Sequence, residues 1–136
     1  MSLHATSRSI RGTLRQDVVA GDGHHLVTDE PRRVGGENTA PSPHELLPAA
    51  IAACVSTTLV VYARAKDWEL GEISVDADYD PKSVPRRMTV VVHLDGDLTD
   101  LQLARLERVA ASCPVRRSLE TAIEIEERIV ATHAVR

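Results

Sequence analysis

Residues 42–66 read SPHELLPAAIAACVSTTLVVYARAK, and the folding of this stretch decides how the rest must be arranged. Its start carries the marks of a helix N-terminus. Ser42 can cap, Pro43 suits the first helical position, and Glu45 completes a capping box. The middle, residues 49–63, is apolar on nearly all sides. A helix of that kind in a soluble protein is buried. The pattern predicts a helix over 43–66, with a kink near Pro48, which removes a hydrogen bond in the second turn.

Strand patterns flank this helix. Ser9 to Val19 and His24 to Thr28 surround Ala20-Gly21-Asp22-Gly23, a turn signal, and predict a β-hairpin. Residues 29–43, DEPRRVGGENTAPSP, form a loop rich in Pro and Gly. Glu72 to Tyr79 alternates with Ile73, Val75, Ala77 and Tyr79 on one face. Arg87 to Asp95 alternates through Met88, Val90, Val92 and Leu94, and the two read as a second hairpin. Thr99-Asp100-Leu101-Gln102 is another capping box. It opens a helix with Leu103, Leu106, Ala110 and Cys113 on one stripe. Pro114 ends that helix and starts a short helical turn through Leu119. Thr121 to Val130 reads as a closing strand. The order is ββ-α-ββ-α-β, an α+β class with antiparallel sheet in a single domain over residues 1–136. One other long helix cannot cover the central one on every side. A homodimer with its long helices against each other would.

Composition narrows the function. The 136 residues carry a net charge of −4, 43% hydrophobic and 26% charged residues, and no Phe. The core must therefore come from Leu, Val, Ile and Ala. Basic and aromatic residues do not cluster, which argues against nucleic-acid binding. No run of 18 uninterrupted apolar residues occurs, so no membrane span is expected. The first twelve residues lack the apolar centre of a signal peptide, which makes the cytoplasm the expected location. His4, His24, His25, His93 and His133 show no ligand-like spacing with Cys or acidic residues, so no metal site is expected.

Two cysteines fit a reducing compartment. Such a pair is either two inert core thiols or a redox couple, and composition does not choose between them. Position favours the second reading for Cys113. It stands near the start of a helical turn, where amide N–H groups stabilise a thiolate, with Arg116 and Arg117 close by.

The stretch Gly35-Gly36-Glu37-Asn38-Thr39-Ala40-Pro41-Ser42-Pro43-His44-Glu45-Leu46-Leu47, followed by Ala52-Ala53-Cys54, resembles the hallmark of the OsmC/Ohr family. Cys113-Pro114-Val115-Arg116-Arg117-Ser118-Leu119 resembles the family's second motif. The resemblance covers nearly the whole chain. It implies an OsmC-like fold, with antiparallel sheets around long central helices in an intertwined homodimer. It also implies a thiol peroxidase that reduces organic hydroperoxides in oxidative-stress defence. Cys54 would be the attacking thiol and Cys113 the resolving one, with no bound cofactor. An external dithiol, a lipoyl group on a protein or a small thiol, would restore the pair.

The family also uses an Arg from the loop before the central helix, held by a carboxylate. Arg33 is the best match and Arg32 the second. The chain departs from the pattern at the carboxylate. Ohr-type peroxidases carry Glu directly after the motif's Pro. Here that position is His44, and Glu45, the candidate carboxylate, comes one residue later, about 100° around a helix. Other OsmC-like branches share the Pro-x-Glu-Leu-Leu arrangement. The alternative function is an OsmC-like redox-sensing or binding protein with little or no turnover.

Overall fold

The structure, a computed structural model, describes residues 2–132; Met1 and His133 lie outside them. Three strands open the chain: β1 (Ala5–Ser9), β2 (Gln16–Ala20) and β3 (His24–Thr28). They form an antiparallel meander in the order β1-β2-β3, with Ala5 opposite Ala20 and Gln16 opposite Thr28. The single strand expected over Ser9–Val19 is therefore two. A turn divides it, closed by Thr13 N–H to the Ile10 carbonyl and Ile10 N–H to the Arg15 carbonyl. Gly12 sits in it at φ 81°, a conformation that favours glycine.

The central element is α1 (Leu46–Lys66), entered through a 3₁₀ turn over Pro43–Glu45. The capping box is formed as expected. Glu45 N–H donates to the Ser42 hydroxyl, and Ser42 N–H donates to the Glu45 carboxylate at 3.0 Å. Because α1 proper begins at Leu46, Pro48 falls in its first turn, and the helix runs on from it to Lys66. A proline is tolerated there, since N–H groups in the first turn lack intrahelical partners. Asp67 ends the helix in the left-handed conformation.

The strands β4 (Ile73–Asp80) and β5 (Arg87–Leu94) pair antiparallel, Ile73 opposite Leu94 and Tyr79 opposite Met88. Burial alternates along both with period two. The inward set Ile73, Val75, Ala77, Met88, Val90, Val92 and Leu94 packs against the core. That core is a stripe of α1 (Ile51, Val55, Leu59, Ala63) joined by Leu70, Leu106 and Cys113. The second capping box, Thr99 with Gln102, opens α2 (Asp100–Ala111). Cys113 lies beyond this helix, not on it. It caps α3 (Pro114–Glu120), the helical turn expected after Pro114.

Two further expectations change. Thr121–Val130 forms no strand: the segment has no ladder partner among the described residues, and Ile123, Ile125 and Ile129 are exposed. Alternation alone does not make a strand, because its N–H and C=O groups need an edge to pair with. The observed order is thus βββ-α-ββ-α-α, still an α+β fold with antiparallel sheets. The second change concerns α1. With the preceding turn it is long and apolar enough, by length and composition, to cross a membrane. Here its inner stripe lines the core, and Ala50, Ala53, Thr57 and Val61 on the other side are exposed.

A buried carboxylate organises the loop before α1. Asp29 accepts from Thr39 N–H at 3.0 Å, the Thr39 hydroxyl at 2.7 Å, Glu30 N–H at 2.8 Å and Glu37 N–H at 3.3 Å. These bonds, the Thr39 amide foremost, hold its pKa down to about 2. Gly36 passes so close to the Glu30 carbonyl that a Cβ there would collide with it. A carboxylate with a depressed folded-state pKa stabilises the fold above its unfolded value, and that stability is lost as the pH falls through the folded value. Acid unfolding should therefore steepen from about pH 4 downward. Asp29→Asn should lower thermal stability at neutral pH and flatten that acid limb, as followed by circular dichroism; an unchanged limb would deny Asp29 this role.

Candidate active site

Cys54 lies midway along α1, half-buried, on the flank of the helix beside its buried stripe. Three groups approach its sulfur. The Thr58 hydroxyl, one helical turn on, stands 4.0 Å away. The Val115 backbone N–H and the Cys113 thiol also engage it. Both cysteines are free thiols. Cys113 is fully buried. As the cap of α3, its sulfur accepts the Arg116 N–H at 3.4 Å.

The two thiols are driven apart in acidity. Burial pushes the Cys54 pKa up, but the Val115 N–H, the Cys113 thiol and the Thr58 hydroxyl outweigh it, and the net shift is downward. Cys113 moves the other way. Burial pushes it up, and the neighbouring Cys54 sulfur adds to this, against the Arg116 and Val115 amides. Thiolate character thus concentrates on Cys54 while Cys113 keeps its proton and donates it as a hydrogen bond. A nucleophile paired with a protonated partner can attack an electrophilic oxygen and then be resolved as a disulfide.

Arg33 and Glu45 are placed elsewhere. Arg32 and Arg33 belong to a 3₁₀ turn over Arg32–Val34, and both are exposed. They line a cleft of about 640 Å³ with His44, Glu45 and Tyr79. The His44 ring meets the Tyr79 ring edge-on at 5.4 Å. Glu45 is engaged in the capping box. Cys54 comes nine residues after Glu45, about 13 Å along the helix axis at 1.5 Å per residue. Within one chain the two groups are separate. Arg116 is the cation nearest the thiol pair in sequence, and its Nε is bonded to Glu120.

Thr58 and Val115 are the site residues that sequence reading missed. Thr58 was accessible through its i, i+4 spacing from Cys54. Val115 acts through its backbone, so side-chain type offers no signal. Among the described residues no group of three or more His, Cys, Asp or Glu side chains is arranged to hold a metal ion.

The family pattern described as OsmC-like protein matches residues 36–128, spanning both cysteines. The chain belongs to the OsmC-like family. A search of curated proteins finds no match. Among solved structures, this OsmC-like chain is similar to an OsmC-like protein of Mycoplasma pneumoniae, with a TM-score of 0.72, 14% identity and 88% of each chain covered. It is similar to an organic hydroperoxide resistance protein OsmC of Legionella pneumophila, with a TM-score of 0.61, 24% identity, and 88% and 89% of the two chains covered. It is also similar to an organic hydroperoxide resistance protein of Elizabethkingia anophelis, with a TM-score of 0.64, 21% identity and 91% of each chain covered. At these identities the likeness shows the shared fold.

The asymmetry of the thiols can be read by alkylation. Iodoacetamide should modify Cys54 faster than Cys113, with an apparent pKa for Cys54 lower than that for Cys113. Cys113→Ala removes the donated hydrogen bond and should raise that apparent pKa. An unchanged profile in the variant, followed by mass spectrometry across pH, would contradict the arrangement.

Proposed function

We propose that this protein is a cysteine-based peroxidase that reduces organic hydroperoxides to alcohols. The observation that carries the reading is the contact between Cys54 and Cys113, with the first thiol made more acidic and the second less so. The membership of proteins named for organic hydroperoxide resistance among its structural relatives supports it.

In the proposed cycle the Cys54 thiolate attacks the outer peroxide oxygen. The O–O bond breaks, the alkoxide leaves and takes up a proton as the alcohol, and Cys54 becomes a sulfenic acid. Cys113 then loses its proton and attacks the Cys54 sulfur. The S–O bond breaks, water leaves, and a disulfide forms. A dithiol, either a lipoyl group on a partner protein or a small thiol, reduces that disulfide and is itself oxidised. No bound cofactor is required. The apolar residues around Cys54 favour alkyl hydroperoxides over hydrogen peroxide.

Arg33 enters this proposal as the activating cation of the family resemblance, and Glu45 as the group that fixes the start of α1 beside it. Their cleft shares Tyr79 with a second one that runs along α1 toward Ile51. The protein is further proposed to work as a cytoplasmic homodimer. The motive is the outer side of α1, where exposed Ala50, Ala53, Thr57 and Val61 call for cover.

Two observations favour the second reading, a redox-sensing or binding protein with little turnover. Arg33 is not among the groups that act on Cys54, and His44 stands where Ohr-type peroxidases have Glu. Consumption of cumene hydroperoxide with dihydrolipoamide separates the two. Wild type, with its oligomeric state checked by sedimentation velocity, should turn over, and Cys54→Ser should not. Arg33→Ala should lower kcat/KM by about tenfold or more if it stabilises the transition state. No consumption with any dithiol would favour the sensor.

A further inference from the structure

Two threonines stand side by side in the middle of α1, and their hydroxyls bond differently. Thr57 donates to the Ala53 carbonyl at 2.9 Å. A threonine inside a helix commonly bonds the carbonyl four residues back in this way. Thr58 does not. Among the described residues its hydroxyl has one hydrogen-bond partner, the Cys54 sulfur at 4.0 Å. The i, i+4 spacing sets the two side chains one above the other on the same flank of the helix. Both are half-buried, so the sulfur and the hydroxyl are open together to an incoming small molecule.

The groups at the Cys54 sulfur differ in what they can offer. The Val115 N–H is a donor only. The Cys113 thiol donates toward Cys54, and its sulfur is a weak acceptor. No charged side chain acts on the sulfur among the described residues, and Thr58 supplies the one oxygen. A hydroxyl carries one proton and two lone pairs, so it can donate to the thiolate and accept from a second molecule at once. The partly buried neighbours Val109, Ala110 and Val115 bring no side-chain acceptor.

A hydroperoxide carries its proton on the outer oxygen, the atom that the thiolate attacks. That proton needs an acceptor as the oxygen leaves water for a half-buried site. We propose that Thr58 is a catalytic residue that receives the hydroperoxide: its O–H points to the Cys54 thiolate, and its oxygen accepts the O–H of the outer peroxide oxygen, which brings that atom onto the sulfur. As the S–O bond forms and the O–O bond breaks, the outer oxygen keeps its proton and becomes the sulfenic hydroxyl. The alkoxide leaves and takes a proton from solvent. Thr58 ends the step with the proton it began with. The inference rests on the peroxidase reading and gives that reading the group that holds the substrate.

The test compares two electrophiles at one pH: cumene hydroperoxide, which carries the O–H, and iodoacetamide, which carries no hydroxyl. Second-order rates of Cys54 modification are measured by quenching and peptide mass spectrometry in wild type, Thr58→Val and Thr58→Ser. Valine keeps the branched shape and removes the hydroxyl, whereas serine keeps the hydroxyl. A hydroxyl that acts on the thiolate alone, or only on the helix, moves both rates in similar proportion. The hydroperoxide rate divided by the alkylation rate should fall about tenfold or more in Thr58→Val and return to within about threefold of wild type in Thr58→Ser. An unchanged ratio in Thr58→Val, or a ratio that falls equally in Thr58→Ser, overturns the proposal and leaves the peroxidase reading intact. If wild-type Cys54 is alkylated but never oxidised by the hydroperoxide, the peroxidase reading falls and this inference falls with it.

Discussion

Packing of the inner stripe of α1 on the β4–β5 pair is the constraint on which the rest of the structure depends. Ile51, Val55, Leu59 and Ala63 recur every four residues, so one line of the helix is buried along most of its length. Fully burying a side chain such as Ile51, Val55 or Leu59 stabilises the fold by about 1.5–3 kcal/mol. This fixes the rotation of the helix. Cys54, one residue before Val55, is thereby turned to the flank that α3 covers. If the stripe shifted by one residue, the thiol would leave the Val115 amide and the Cys113 sulfur together.

Burial on its own would make both thiols weaker acids. What separates them is the start of α3. The Val115 amide engages the Cys54 sulfur foremost, while the Arg116 amide engages Cys113, and the Cys113 thiol then donates toward Cys54. Two like groups placed in contact cannot both ionise at the same pH, so small differences in donors decide which one carries the charge. Pro114 contributes by construction. It begins α3 directly after the cysteine and leaves the next two amides free to face the sulfurs.

Much of this was legible in the residues. The capping boxes at Ser42–Glu45 and Thr99–Gln102, the alternation of Ile73–Tyr79 and Met88–Leu94, and the helical turn after Pro114 are local signals, and each formed where its residues indicate. Two strand expectations failed, one at a local turn and one for want of a pairing edge. The Arg11-Gly12 turn that splits the first strand lies within a run whose strand character outweighs it. The Ile and Glu alternation of 121–130 reads as a strand, but no edge among the described residues receives it. The place of Arg33 was also out of reach. It depends on how Asp29 folds the 30–39 loop through backbone donors, which side-chain pattern does not encode. The cysteine pair was legible through its two flanking motifs, whereas the direction of each pKa shift needed the amides of α3.

The most direct test of the account is a single turnover without reductant. The fully reduced protein is mixed with one equivalent of cumene hydroperoxide, quenched with an alkylating agent and analysed by peptide mass spectrometry. The account predicts one intramolecular Cys54–Cys113 disulfide per hydroperoxide consumed. In Cys113→Ser it predicts a sulfenic acid on Cys54 that dimedone traps. Two cysteines that remain free and alkylatable after the hydroperoxide is added would contradict it.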